Sequence, residues 1–210
     1  MAINILTFTP PHARAVAQLH RHAIPTGFLS RLGPGFLAAL YTSIGRSPYS
    51  RVFVAIDQNS PKVAGFAACS LDTSAMYRHI LLRRGVLFFF LLLPRVFVPE
   101  NLKFIFETLF YPQNKKNKTP DGIGGDAGPG AELLSIAVSD DSRKQGVGRD
   151  LIAALESYLK ESGVTSYKTV TLSTDSGANA FYKKCGFVFK KEISHHGNIL
   201  YEYVKEIRQL

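Results

Sequence analysis

Glu132-Leu133-Leu134-Ser135-Ile136-Ala137-Val138, the polar run Ser139 to Gln145, and then Gly146-Val147-Gly148-Arg149 form the stretch on which the reading of this chain turns. The first seven residues are mostly apolar and bounded by polar ones, which predicts a buried strand. Ser139 to Gln145 predicts a loop. From Gly148 to about Glu161, Leu151, Ile152, Leu155, Tyr158 and Leu159 recur on one helical face, and Gly163 stops the run. The order is therefore strand, basic glycine turn, helix.

The turn Arg143-Lys144-Gln145-Gly146-Val147-Gly148-Arg149 has a direct physical consequence. Gly146 and Gly148 remove side chains where the backbone bends into the helix. The first N–H groups of that helix have no internal partner and point outward. The helix dipole adds about half a positive charge there, and Arg143, Lys144 and Arg149 add whole ones. Such a bend can cradle a diphosphate. A P-loop is excluded, because no Gly-Lys-Ser or Gly-Lys-Thr follows. The dinucleotide fingerprint fails as well, because Leu151 stands where its third glycine belongs. The plain alternative is a basic loop that only caps a helix.

Toward the C-terminus, Tyr167 to Thr174 reads as a strand and Ala178 to Cys185 as a short helix ended by Gly186. Phe187 to Ile193 and Ile199 to Val204 read as a closing hairpin about His196-Gly197-Asn198. Toward the N-terminus, Met1 to Phe8 alternates like a strand. A helix follows, opened by Pro11 and finished before Pro25. Phe36, Leu37, Leu40, Tyr41 and Ile44 make the stripe of a second helix, with Gly33-Pro34-Gly35 expected as a tight turn before it. Arg51 to Ile56 and Val63 to Ser70 read as a hairpin. Between them and Glu132 the pattern changes. Residues 76–93 and 99–111 are apolar and helical in character, Lys115 to Lys118 is a polar cluster, and a glycine-rich piece ending at Gly130 predicts a mobile loop.

The residues resemble the GNAT N-acetyltransferase superfamily. Arg143-x-x-Gly146-x-Gly148 after the strand Leu133 to Val138 is similar to that family's acyl-coenzyme A loop. Ala178-Asn179-Ala180-Phe181-Tyr182-Lys183-Lys184-Cys185-Gly186-Phe187 is similar to its closing Phe-Tyr…Gly-Phe helix. One helix and one strand separate the two motifs, as the family requires. The resemblance is specific over about residues 131–192 and looser over 2–70. It implies an α/β (α+β) fold: a mixed, mostly antiparallel twisted sheet of about seven strands flanked by helices. Residues 1–210 would form one acyltransferase domain, with 71–130 inserted between strands three and four.

The resemblance further implies acetyl-CoA as acyl donor and no metal. Backbone groups of Ile136, Ala137 and Val138 would pair with the pantetheine arm. Amides of Gln145, Gly146, Val147 and Gly148 would hold the diphosphate, with Arg143, Lys144 and Arg149 near the phosphates. Asn179 and Tyr182 would meet the pantetheine and the sulfur. Asp175 departs from the family's asparagine seven residues before the tyrosine, so that contact passes to Asn179. An attacking alkylamine has a pKa near about 10.4 and must lose a proton. Glu132, six residues before Val138 on the same strand face, is the candidate base. Tyr182 is the candidate acid for the departing thiolate, and the backbone N–H of Val138 the candidate donor to the thioester oxygen.

Composition bounds the rest. The chain has 210 residues and a formal charge of +9, with 46% hydrophobic and 20% charged residues. A sizeable core can form, and phosphate-bearing partners suit the charge. Cys69 and Cys185 exclude a disulfide scaffold and a four-cysteine zinc site, and read as buried packing residues in a cytoplasmic protein. His20 and His22, two apart on a helix, cannot share a face as metal ligands. Gly85 to Leu93 is about half the roughly 20 residues needed to cross a bilayer, so a buried helix is favoured over a membrane-resting segment. Nucleic acid is disfavoured because the aromatics lie in apolar runs. The expected activity is acetyl transfer to a primary amine of a small molecule or peptide by direct attack. The alternatives are a non-enzymatic acyl-CoA sensor and a longer-chain N-acyltransferase. Oligomeric state stays open, a homodimer included.

Overall fold

β1 (Ile3–Thr7) pairs antiparallel with β2 (Ser50–Asp57), β2 with β3 (Ser60–Ser70), and β3 with β4 (Glu132–Val138). β4 then meets β5 (Ser166–Leu172) in parallel. β7 (Asn198–Glu206) lies antiparallel between β5 and β6 (Val188–His195). The seven-stranded sheet has the order β1-β2-β3-β4-β5-β7-β6 with one parallel junction, a mixed, mostly antiparallel sheet as the resemblance implies. This computed structural model describes residues 3–25, 27–58, 60–96, 130–195 and 197–208. The second insertion helix expected at 99–111, the Lys115 to Lys118 cluster, most of the glycine-rich piece and His196 lie outside the described residues.

Helices cover both faces. On one side α1 (Ala13–Ala23), α3 (Gly33–Arg46) and α4 (Thr73–Val96) bury Val16, Leu37, Tyr41, Met76 and Phe88 against Val52, Val54, Phe66 and Ala68 of the sheet. On the other, α5 (Val147–Glu161) and α6 (Ser176–Lys184) bury Leu151, Leu155, Leu159 and Tyr182 against Ala55, Ala67, Leu133, Tyr167 and Tyr203. Alternate residues of each strand serve opposite cores, which is the period of two at work.

Three elements depart from the sequence reading for local reasons. Gly33-Pro34-Gly35 opens α3 rather than preceding it, because the fixed φ of Pro34 suits a first helical turn. A short helix, α2 (Phe28–Arg31), precedes it and has no apolar periodicity to announce it. Helices α4 and α6 start earlier than expected because Asp72 accepts from the Ala75 N–H at 2.9 Å, and Asp175 from the Ala178 N–H at 2.9 Å. Asp175 is thus a helix cap.

Candidate active site

The parallel junction between β4 and β5 consists of one residue pair, Glu132 with Lys168. The Lys168 N–H donates to the Ala131 carbonyl at 3.1 Å, and the buried Thr169 hydroxyl donates to the Leu133 carbonyl at 3.2 Å. Beyond that point the strands part. β5 continues to Leu172 beside β7, while β4 continues to Val138 beside β3 alone. A wedge therefore opens along the backbone of residues 134–138. Its origin is visible in the other ladder: Ala68 pairs with Ser135 and Cys69 with Leu133, so Leu134 is an extra residue in β4. A bulge of this kind bends the strand and leaves its own backbone groups unpaired. Sequence reasoning assigned the oxygen-polarising N–H to Val138. The bulge makes Leu134 a second candidate that no side-chain pattern could reveal.

The wide end of the wedge runs into the basic turn. Lys144 is the one non-glycine residue with positive φ among the described residues, at 61°, and Gly146 follows at 90° as the N-cap of α5. Two left-handed residues in quick succession turn backbone N–H groups toward one side. Gly148 serves a different end. A Cβ there would stand 3.0 Å from the Phe181 ring and 3.7 Å from Val138 Cγ2, so its glycine lets α5, α6 and β4 close together. Arg143, Lys144 and Arg149 are exposed around the turn. Arg143 pairs with Asp140 at 2.9 Å, and Asp140 also takes a 2.7 Å hydrogen bond from His22 Nε2 of α1. That bond, and then the Arg143 charge, hold the Asp140 carboxyl below its ordinary pKa. This tether spans 118 positions, so the loop's sequence could not disclose it.

Tyr182 stands at the narrow end. Its ring packs against Phe181, Phe187 and Tyr203, and its hydroxyl contacts Thr169, the residue that bridges β5 to β4. Burial, less a counteracting contribution from Thr169, raises the phenol above its ordinary pKa. The group is held protonated. Glu132 lies at the start of β4, half-buried, where its Oε2 accepts from the Thr73 hydroxyl of α4 at 3.2 Å. Its charge also adds to the burial that pushes the Tyr77 phenol up to about 12.

Asn179 is engaged elsewhere. Its Nδ2 donates to the carbonyls of Leu172 at 3.0 Å, Ser173 at 3.2 Å and Asp175 at 2.6 Å, and its Oδ1 accepts from Tyr203 at 2.9 Å. The pantetheine contact expected of it would require these bonds to break. Asn179→Ala is therefore expected to lower stability by about 1–3 kcal/mol, because it strands a buried hydroxyl and carbonyls. Urea denaturation checks this, and an unchanged midpoint with weakened ligand affinity would restore the ligand role.

Beside the wedge, on the α1 and α3 side, His20 Nδ1 meets the Tyr41 hydroxyl at 2.6 Å, with both residues buried. Burial lowers His20 to about 4, so it is neutral, and raises Tyr41. Ser135 Oγ lies next to the Tyr41 phenol without being aligned as a hydrogen bond. From sequence only His20 of this group was weighed, and only as a metal ligand, because Tyr41 looked like one more member of an apolar stripe. Cys69 is buried with its thiol pushed up to about 12, and burial likewise raises Cys185. Cys69 is wholly enclosed in the core, whereas Cys185 is half-buried.

Comparison with known proteins bears on this geometry. Residues 108–187 match the acetyltransferase (GNAT) family. An uncharacterized protein of Bacillus subtilis, YyaT, is 35% identical over 79 residues, which is 38% of this chain and half the length of that relative. The fold is similar to that of an N-acetyltransferase from Staphylococcus aureus Mu50, with a TM-score of 0.62 at 12% identity over 99% of this chain and 100% of that one. It is also similar to Arabidopsis thaliana NAA60 in complex with acetyl-CoA, with a TM-score of 0.59 at 15% identity over 98% of this chain and 99% of that one.

Proposed function

We propose that this chain is an acetyltransferase of the GNAT family, which its residues 108–187 match, and that it transfers an acetyl group from acetyl-CoA to a primary amine. The observation that carries this reading is the wedge between β4 and β5, bounded by a left-handed basic turn at one end and a buried tyrosine at the other. When bound, acetyl-CoA supplies an activated thioester and a diphosphate. The residues present fit that molecule. The edge of β4 at Ile136, Ala137 and Val138 faces no β5 partner and can receive the amides of the pantetheine arm as a further strand would. Amides of Gln145, Gly146, Val147 and Gly148 hold the diphosphate, with Arg143, Lys144 and Arg149 around it. Opening Arg143 toward phosphate loosens its pair with Asp140, which is exposed and weak.

Tyr182 Oη keeps its proton at neutral pH and gives it to the departing sulfur. Glu132 takes the proton of the attacking amine, directly or through one water. The peptide N–H groups of the distorted β4 polarise the thioester oxygen. The acceptor is a small-molecule or peptide amine.

The direct test offers a panel of amines with acetyl-CoA and reads free thiol. Acceptor-dependent release supports an enzyme, whereas binding without release makes the chain a sensor. Glu132→Gln is expected to lower kcat/KM about tenfold near neutral pH, below the usual ~10²–10⁴ of a directly placed base. The deficit should shrink as pH rises toward the amine's own pKa, because the acceptor then loses its proton unaided. A pH profile checks this, and a deficit constant with pH would remove Glu132 from the proton path.

A further inference from the structure

Helix α4 turns apolar side chains outward as well as inward. Met76, Ile80, Phe88 and Leu92 are buried against α3 and the sheet. On the opposite side Leu82 is 82% exposed, Val86 73%, Phe89 60% and Phe90 62%, and Leu93 is exposed too. Measured from Leu82, these fall at offsets of four, seven, eight and eleven residues, one continuous stripe about 100° wide on a 3.6-residue helix. At that same periodicity Arg78 and Arg83 border the stripe on its two sides. Between α3 and α4, next to the stripe's N-terminal end, lies a cavity of about 400 Å³ lined by Ser43, Arg46, His79, Ile80, Arg83 and Arg84. Among the described residues none of its three arginines makes an ion pair.

An apolar helix face bordered by Arg78 and Arg83, which form no ion pair among the described residues, fits an anionic lipid surface. The aromatic and branched side chains can enter the boundary between headgroups and acyl chains, while the arginines stay at phosphate level. Guanidinium groups bind phosphate oxygens through paired N–H donors. We propose that the chain docks through α4 on membranes containing anionic phospholipid, with lipid phosphate received by the exposed Arg78 and Arg83 that border the stripe. The helix rests on the surface and does not span it, since no helix among the described residues is long and apolar enough to cross a membrane. A second copy of the chain fits the face less well. That copy carries the same formal charge of +9, whereas an anionic surface complements the basic borders of the stripe. This proposal is independent of the acetyl-transfer reading.

Flotation of the full chain with vesicles tests it. The chain should float with mixed phosphatidylcholine and phosphatidylglycerol and stay unbound with phosphatidylcholine alone. R78Q/R83Q should lower partitioning roughly thirtyfold, in line with two basic residues near a charged surface. F89S/F90S should abolish it, and circular dichroism should find both variants folded, because the altered side chains are exposed or at the cavity rim. Three results would overturn the proposal: no flotation with either vesicle, equal flotation with both, or light scattering that finds a dimer which F89S/F90S dissociates.

Discussion

Tyr182→Phe is expected to lower kcat by about a hundredfold to a thousandfold, within the usual range for a positioned general acid, while acetyl-CoA affinity stays within about twofold. The substitution is well isolated. The ring contacts with Phe181, Phe187 and Tyr203 do not involve the hydroxyl and survive in phenylalanine. Thr169 keeps its bond to the Leu133 carbonyl, so the junction where β4 and β5 part is retained. What disappears is the hydroxyl, with its transferable proton and its contact to Thr169. The pH dependence follows from the sign of the shift. Burial favours the neutral phenol, so the protonated, active form persists above the reference value near about 10. The wild-type rate should therefore show no alkaline fall from Tyr182 below that pH. Single-turnover kinetics with a saturating amine checks both points. Unimpaired turnover by the phenylalanine variant would assign the tyrosine to packing alone.

The parts of this site that sequence discloses are those encoded locally. Gly146 and Gly148 between an apolar run and an amphipathic run announce the strand, turn and helix, and the spacing to Phe181 and Tyr182 announces the second motif. Features made by pairing between distant segments stay hidden. The extra residue at Leu134 exists only relative to the β3 register, and a run reading Leu-Leu-Ser-Ile carries no mark of it. The partners of Asn179 depend on where β5 ends and on Tyr203 arriving from β7, so a residue that a motif hands to a ligand is here a brace between elements. His22 reaches Asp140 across the fold, and Thr73 reaches Glu132 from a helix lying outside both motifs. The mixed, mostly antiparallel sheet was legible through the resemblance that the two motifs carry and through the alternation of strand and helix patterns, whereas the strand order was not. Exposure of the outer stripe of α4 was not legible, because an apolar run carries no periodicity that distinguishes its two faces.

Gly146→Glu is expected to weaken acetyl-CoA binding more than a hundredfold. Two effects contribute, and a second variant separates them. Gly146 adopts φ 90° at the head of α5, yet no atom lies within 4 Å of where its Cβ would be. The cost of any side chain there is thus conformational rather than steric, about 1–2 kcal/mol for a left-handed residue. Gly146→Ala incurs that cost alone and should bind acetyl-CoA with affinity reduced about thirtyfold or less, by roughly that same energy. Glutamate adds a charge of the wrong sign where helix N–H groups and three basic residues otherwise favour an anion. At an effective dielectric of about 20, like charges about 5 Å apart repel by about 3 kcal/mol, which is more than a hundredfold in affinity. Neither change touches the core, since Gly146 is exposed, so the thermal midpoint should fall by only a few degrees. Titration calorimetry with both variants decides the matter. Near-normal affinity in the glutamate variant would mean that the diphosphate is bound elsewhere, and the wedge would then lose its claim to the cofactor. An alanine variant as weak as the glutamate one would mean that the left-handed geometry, rather than the charge, determines binding at this turn.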